Sequence, residues 1–447
     1  MAPHKVFTYC PQATNVKETL AYEFVGGKEL SIIHKHGNET LPSSGHVHGE
    51  IRLRRAPIFS PHGKKPYLTV EISNTIGFDA TVKWSEDSQK LDLYTYQINP
   101  KARRDQCLAA IITAVIPDHT QLTNFVVESP SLDLALSDLK FNITGRADYS
   151  TDSGSTWMVP GLAIEPEVAL SLQRPATSSR PNGKINMTDV VTNFQSRRIN
   201  IETHSGSIQG IYPLHDELVL STGSGNIDVG ITPKAVSSLD PRPADLEVQT
   251  ASGSIAVHLT TQNGDDTIPP RNYITRVHST SGSIQGHFYL GSQSSFKTTT
   301  GSIDITALPV LPEEVGFYNV PPNSFETHTL SGSTKISALT PLSFAQNTTE
   351  DDLAFEVATK LRSLRSSHSS GSGELHIMHT DAWEGSVHAK SVSGKLQVRG
   401  DGFRTIKERY GAGYKELLKR RGVDGKGEGS EVEASTVSGA INFAIVA

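Results

Sequence analysis

The chain has 447 residues, a formal net charge of -6 and 36% hydrophobic residues. A charge of this sign predicts no general attraction to nucleic acid or to an anionic membrane. No segment approaches the roughly 20 consecutive apolar residues that cross a membrane. The length allows several globular domains or one body built from repeats. Cys10 and Cys107 give no disulfide framework, and their spacing does not decide whether they form a single bridge; reduced thiols are the default expectation.

Residues 1–64 are polar and irregular, which predicts a poorly packed N-terminal arm with one or two strands. The start has no apolar core of a secretion signal, and this favours a cytoplasmic location. His34 and His36, like His46 and His48, are two residues apart, as imidazoles that share a strand face and bind a metal would be. Because no Cys or carboxylate constellation accompanies them, we favour a solvated loop and predict no metal or other cofactor.

Residues 65–173 contain runs such as YLTVEIS and KLDLYTYQI, in which apolar and polar residues alternate. They predict degenerate β coils. The apolar segment 107–117 fits either a helix or a strand buried on both faces, and we interpret it as a strand. Proline and serine crowd residues 174–183, which predicts a loop or a flexible boundary.

A short phrase resembling Ser-Gly-Ser-Ile recurs through residues 184–447, and a weaker copy precedes them at Gly154. The glycines of the phrase are Gly206, Gly225, Gly253, Gly282, Gly301, Gly332, Gly373, Gly394 and Gly439. Such recurrence, with alternating apolar residues on both sides, is typical of stacked repeats. It predicts an all-β fold, a single-stranded β-solenoid of short coils.

The residues around each glycine predict how a coil is built. Three positions before it stands Ser or Thr, from Thr203 to Thr436, which suits a tight bend. At the glycine a Cβ would clash or φ would be positive. Apolar positions on either side supply two walls of a core, and equivalent positions should stack as ladders, with Ile255 between Ile227 and Ile284.

The longer repeats predict loops at one corner of the solenoid. Nineteen residues separate Gly206 from Gly225, and we take this interval as one bare coil. Longer intervals carry inserts that contain proline and begin shortly after the glycine, at 231–243, 260–271, 307–323 and 338–352. These inserts should leave from the same corner and form a loop-rich face.

Two segments, 350–364 and 403–422, fit the solenoid pattern least and predict short helices. The second carries a basic run with two tyrosines between its members: Arg404, Lys407, Arg409, Lys415, Lys419, Arg420 and Arg421, with Tyr410 and Tyr414. Clusters of this kind contact phosphates and stack on bases. Because Glu408 and Glu416 dilute the charge, we favour a solvated insert and expect no nucleic-acid partner.

The repeated phrases, the stretch WEGSVHAKSVSGKLQVRG from Trp383 to Gly400 and the closing STVSGAINF resemble the "putative adhesin" β-solenoid family. The resemblance is to its fungal branch of domains of unknown function, and it spans residues 65–447. It implies a coiled β-sheet body and an adhesion-like or scaffold role. It supplies no catalytic residues to carry over.

Two functional classes remain open, a binding or scaffold protein and a β-helical carbohydrate-active enzyme, either a lyase or a glycosidase. Such enzymes gather carboxylates or basic residues on adjacent coils. The columns predicted to point outward contain no acid cluster. His278 and His328 stand in one of them without a carboxylate to orient them. We therefore predict no catalytic activity.

Recognition should then use exposed aromatic rings in or beside the inserts. Tyr273, Phe317 and Tyr318 are the candidate ligand-binding residues, because rings stack on the C–H faces of sugars. The alternative is that each ring caps the core locally. The expected partner is a protein or a carbohydrate at the insert face, and its identity is not specified by the sequence.

Overall fold

In the computed structural model, the described residues are 10–37, 47–56, 65–98, 106–118, 120–137, 141–159, 194–237, 239–259, 268–312, 323–344, 356–357, 360–411, 413–422 and 429–446. They form 34 β-strands and no helix, which confirms the all-β prediction. Accordingly, these ranges contain no helix that could span a membrane. Unit 1 comprises residues 1–213, 229–232 and 260–267, and unit 2 comprises 214–228, 233–259 and 268–447.

Fourteen strands begin in unit 1 as it is described. They are β1 Asn15–Glu23, β2 Leu30–His36, β3 Val47–Arg55, β4 Tyr67–Asn74, β5 Phe78–Ser85, β6 Lys90–Gln97, β7 Leu108–Ile116, β8 Gln121–Leu122, β9 Phe125–Ser129, β10 Asp133–Ser137, β11 Phe141–Thr151, β12 Thr156–Val159, β13 Phe194–Thr203 and β14 Ile208–Leu214. In unit 1, one sheet, sheet A, contains β1, β3, β4, β7, β10, β12 and β14, and the other, sheet B, contains β2, β5, β6, β8, β9, β11 and β13. Each coil contributes one strand to each sheet, and the core lies between the sheets. Strand β7 is buried along its whole length, as predicted for residues 107–117.

The coils of unit 1 do not all stack in chain order. The coil β2–β3 lies between β6–β7 and β9–β10, because β2 pairs in parallel with β6 and β9, and β3 with β7 and β10. Antiparallel strands cover the β6–β7 side, where β5 pairs with β6, β4 with β7 and β1 with β4. The described part of residues 1–64 therefore forms three strands, where the sequence predicted an irregular arm with one or two.

A disulfide joins Cys10 to Cys107 in unit 1, so the expectation of reduced thiols is wrong. The two residues are 97 positions apart in the sequence, and their Cα atoms are 5.7 Å apart. Cys10 packs against Ala109 and Ile111 of β7, which brings it beside Cys107 at the start of that strand. Only the stacking of the first coils places the two thiols together. Sequence spacing gave no sign of it.

Twenty strands begin in the described part of unit 2. They are β15 Glu217–Thr222, β16 Ile227–Pro233, β17 Ala244–Thr250, β18 Ile255–Leu259, β19 Tyr273–Ser279, β20 Ile284–Leu290, β21 Gln293–Thr298, β22 Ile303–Pro312, β23 Asn323–Thr329, β24 Thr334–Ala338, β25 Leu342–Phe344, β26 Glu356–Val357, β27 Leu364–Ser370, β28 Leu375–Thr380, β29 Gly385–Ser391, β30 Leu396–Arg399, β31 Phe403–Gly411, β32 Tyr414–Arg421, β33 Ser430–Thr436 and β34 Ile441–Val446. The four inserts begin within or directly at the end of β16, β18, β22 and β24, which all belong to sheet A, and this confirms that they leave from one corner.

Stacking in unit 2 follows chain order as far as β27 and β28 and then changes. Strand β33 pairs in parallel with both β27 and β29, and β34 pairs with both β28 and β30. The coil β33–β34 is therefore inserted between two coils that precede it in the sequence. Strand β32 pairs antiparallel with the far side of β29, and β31 pairs antiparallel with β32.

The segment 403–422 is this β31–β32 hairpin, so the predicted helix is wrong. Gly411 and Gly413 flank the turn, where Gly413 has φ +75°, a value that favours glycine. Pairing with β29 and burial of Leu417 outweigh the helical spacing of the sequence. Residues 350–355 and 358–359 of the other predicted helix lie outside the described residues, and the described remainder is strand, bridge and irregular chain.

The repeat glycines are required by close approach between coils. A Cβ on Gly282 would lie 1.7 Å from the carbonyl oxygen of Gly253, its equivalent in the neighbouring coil. None of the repeat glycines has a positive φ, so the clash explains their presence. The hydroxyl of Ser279 accepts a hydrogen bond from the Gly282 N–H at 2.8 Å and donates to the Gly253 carbonyl at 3.2 Å. Ser or Thr is needed there because it accepts and donates at once.

Candidate binding groove on the outer face of unit 2

The outer surface of sheet B in unit 2 is built from strands in parallel register. Strands β21, β23, β27 and β33 are consecutive neighbours, and their residues alternate between the core and the outer face. Outward residues therefore line up across the strands. One such ladder is Ser295, Glu326, Ser367 and Glu433, and the next is Gln293, Ser324, Arg365 and Glu431.

A groove of about 360 Å³ crosses these ladders. Its lining residues are Gln293, Ser294, Ser295, Ser324, Phe325, Glu326, Arg365, Ser366, Ser367, Glu431 and Glu433. Short serine side chains stand beside long Glu and Arg side chains in both ladders. The difference in length leaves the space of the groove.

The charged groups of the groove lining are three glutamates and one arginine, a formal net charge of -2. Glu326 binds Lys297 through an Oε2–Nζ distance of 2.9 Å, and Glu431 lies 3.7 Å from the Nε atom of Arg365. The Glu326 and Glu431 side chains are 47% and 50% exposed. The groove therefore presents solvated carboxylates that would attract a cationic group on a ligand.

Sequence reasoning missed Glu431 and Glu433. They belong to β33, which follows β29 in the sequence but lies beside β27 in space. A stack in chain order would have placed them at the far side of β29, one strand further from Glu326. The alternation in residues 403–421 was the available signal, because a hairpin there covers that side of β29 and leaves β33 to pair elsewhere.

The two outward histidines lie where the sequence placed them. His278 and His328 are exposed on β19 and β23, with Lys297 of β21 between them in one ladder. The Nδ1 atom of His328 lies 2.8 Å from the Ser369 hydroxyl oxygen. The outward orientation is confirmed, and the absence of a catalytic role stays a prediction.

The predicted aromatic site is not assembled by the described residues. Tyr273 is 1% exposed, its ring stacks on that of Tyr289 at 4.7 Å, and its hydroxyl donates to the Pro269 carbonyl at 2.8 Å. The ring therefore packs in the core and offers no face to a sugar. Phe317 and Tyr318 lie outside the described residues, and their ligand-binding role stays a prediction.

His34, His36 and His48 lie on strands and do not form a solvated loop. His34 lies buried in β2, with its ring nitrogens 2.9 Å from the Ser129 hydroxyl and 3.0 Å from the Thr95 hydroxyl. Burial, with a smaller contribution from His36, lowers the pKa of His34 to about 3. His48 is exposed on β3, and His46 lies outside the described residues. The described residues hold no group of three metal-ligating side chains.

The basic run covers one edge of unit 2. On the inner face of β32, Lys415 donates to the Gly394 carbonyl at 2.9 Å and Lys419 donates to the Val398 carbonyl at 3.1 Å. Arg421 donates to the backbone carbonyls of Asp381, Trp383 and Asp401. These cations satisfy carbonyl groups at and beside strand β30 and in the connection between β28 and β29. They have a structural role that does not require a nucleic acid.

Comparisons with known proteins leave the family open. No family model and no curated protein matches the chain. One solved structure, described as a "putative cell adhesion protein" from Clostridium sporogenes, aligns with 8% identity over 96% of this chain and 99% of its own. Its TM-score of 0.14 carries no argument about fold or function. Membership of the adhesin β-solenoid family and of its fungal branch stays a prediction.

Proposed function

We propose that this chain is a non-catalytic, adhesin-like binding protein and that the groove of unit 2 is its recognition site. The proposal depends on one observation, a groove on the outer face of sheet B whose lining contains five serines and has a formal charge of -2. Hydroxyl groups and carboxylates bind ligands that carry hydroxyls and a positive charge. A cationic saccharide is the ligand class that combines both.

The enzyme alternative has its own observation. Glu326 and Glu433 stand on one ladder with Ser367 between them, so their Cα atoms are about 10 Å apart at normal strand spacing. Inverting glycosidases use two carboxyl groups about 6.5–9.5 Å apart. Such an enzyme also keeps one carboxyl protonated through apolar burial. Half-exposed Glu326, bound to Lys297, lacks those surroundings, and we therefore favour binding.

The insert corner remains a second binding hypothesis, because its candidates Phe317 and Tyr318 lie outside the described residues. The cytoplasmic location also stays a prediction. The Cys10–Cys107 disulfide does not favour it, because disulfides persist mainly in oxidising compartments.

Binding of chitosan oligomers, which are cationic, and of neutral chitin oligomers tests the proposal by calorimetry. We expect the cationic oligomer to bind better, and Ser367→Tyr, which fills the groove, to weaken binding by about tenfold or more. Glu433→Gln should weaken it as well. Glu247→Gln is the matched control, because Glu247 binds Arg276 on the same face outside the groove lining.

Two results would contradict the proposal. Equal binding by wild type and Ser367→Tyr would place the site elsewhere, for example at the insert corner. Release of new reducing or unsaturated ends from a saccharide, abolished by Glu433→Gln but not by Glu247→Gln, would show an enzyme.

A further inference from the structure

Strand β31 is an edge strand with little covering on either face. Among the described residues it pairs only with β32, so its other edge has no strand partner there. All but two of its residues are exposed, with Ile406 at 53% and Tyr410 at 60%. A strand so placed offers its backbone N–H and C=O groups to another chain.

The contacts to backbone carbonyls that cover the edge of unit 2 do not explain why β31 is present. The contacts to backbone carbonyls come from the inner face of β32, through Lys415, Lys419 and Arg421. The carboxylate of Glu416 is bound by His388 at 2.8 Å and by Lys407 at 2.7 Å, so the Lys407 side chain adds an ion pair to the backbone pairing of β31 with β32. Arg409 and Tyr410 extend into solvent beyond this ion pair.

The charge of β31 selects the kind of partner. The strand carries Arg404, Lys407 and Arg409 against Glu408, a formal charge of +2. Two copies of β31 placed side by side would repel each other, since like charges facing each other across strands are destabilising. The bulge between Thr405 and Lys407 also breaks the regular edge. Both features disfavour self-pairing, whereas an acidic strand is attracted by the same charge.

We propose that β31 is a docking edge for an extended acidic segment of a partner protein. The segment would add as a further strand along Lys407–Gly411, the regular part of β31 after the bulge. Backbone hydrogen bonds would supply the affinity, and acidic side chains would meet Arg409 on one face. Apolar side chains of the segment would contact Tyr410 on the opposite face. This surface is separate from the groove and does not depend on the function proposed for it.

A fluorescent nine-residue peptide of alternating Glu and Val tests this edge by anisotropy against the full chain. We expect saturable binding that weakens with salt and falls about tenfold or more in Arg409→Glu. Arg399→Glu is the matched control, because Arg399 is an exposed arginine on β30 outside the hairpin. Thermal melts of both variants verify that each is folded.

A second peptide, N-methylated at alternate backbone nitrogens, separates strand addition from charge attraction. It keeps every side chain and loses half of its backbone donors, so we expect it to bind much more weakly. Equal binding of the methylated peptide would overturn strand addition, as would the absence of binding by the first peptide. Concentration-dependent dimerisation that Arg409→Glu alters would show a second copy as the occupant and would also overturn the proposal.

Discussion

The repeat glycines from Gly253 to Gly439 lie where the backbones of neighbouring coils of unit 2 approach closely. The carbonyl oxygen that would meet a Cβ on Gly282 also accepts the Ser279 hydroxyl, so glycine and hydroxyl form one unit of the turn. The same pair recurs at Thr298 and Gly301. The Thr298 hydroxyl accepts a hydrogen bond from the Gly301 N–H at 3.1 Å and donates one to the Gly282 carbonyl at 3.0 Å. The hydrogen bonds thus continue from coil to coil. Stability at the residue scale is therefore shared between neighbours.

Gly282→Ala should destabilise unit 2 because its Cβ cannot be accommodated without separating two coils. Overpacking of this kind typically costs about 1–3 kcal/mol, and a backbone obstacle puts the cost at the upper end. Denaturant unfolding measures it. Gly411→Ala is the control, since the atom nearest its Cβ is 3.9 Å away. Equal unfolding midpoints for Gly282→Ala and Gly411→Ala would contradict the close approach of the coils at Gly282 and Gly253.

His379 lies in the core of unit 2 without a hydrogen-bond partner in the described structure for either ring nitrogen. Its ring stacks on Phe443 at 5.6 Å, and Trp383 lies 5.9 Å away. Burial lowers the pKa of His379 from 6.5 to about 4. Its neutral form is therefore favoured in the folded state. The folded protein should lose stability as the pH falls from 6.5 towards 4, and keep it above 6.5.

The free energy of unfolding that is lost between pH 7 and pH 4.5 should be smaller in His379→Phe than in wild type, by about 3 kcal/mol at most. Each unit of pKa difference is worth 1.36 kcal/mol. His34 and His368 are also buried and have lowered pKa values, so some dependence remains in the variant. Unfolding midpoints at pH 7 and pH 4.5 measure the difference. His278→Phe, at an exposed position, should behave like wild type. If His379→Phe lost as much stability at acidic pH as wild type does, buried His379 would not be a source of the acid dependence.

At the scale of elements, the inserted coil β33–β34 determines which side chains meet. It brings Glu433 beside Ser367 and so completes the groove. The hairpin β31–β32 occupies the side of β29 that the next coil in sequence would otherwise take. Three of its basic residues, Lys415, Lys419 and Arg421, bind carbonyl oxygens at the edge of the unit, although the run resembles a phosphate-binding segment in the sequence. This structural role follows from the position of the three side chains and could not be read from the composition of the run.

At the scale of the whole molecule, the sequence predicted the architecture far better than the site. The recurring phrase identified the coils, their turns and the corner of the inserts, because those features depend on residues close together in the chain. Ile255 is fully buried and pairs with Ile284, as its ladder predicted. The disulfide and the groove depend on which coils are neighbours, and local periodicity contains no information about that order. The burial of Tyr273 could not be predicted from local sequence either, because it depends on packing against Tyr289 of the following strand.

The stacking order near the C-terminal coils is the central claim, since the groove exists only if β33 lies between β27 and β29. Cross-linking tests it directly. Ser369 and Ser435 are register partners, as are Ser435 and Lys390, so Ser369 and Lys390 are two strands apart. Their Cα separations should be about 5 Å for adjacent strands and about 10 Å for the outer pair. A disulfide needs Cα atoms within about 7 Å.

We expect the double variant Ser369→Cys/Ser435→Cys to form an intramolecular disulfide on mild oxidation, detected by peptide mass mapping beside the Cys10–Cys107 pair. Ser369→Cys/Lys390→Cys should stay reduced under the same conditions. The reverse outcome, a disulfide between positions 369 and 390 and none between 369 and 435, would show that the coils stack in chain order. It would also remove Glu431 and Glu433 from the groove.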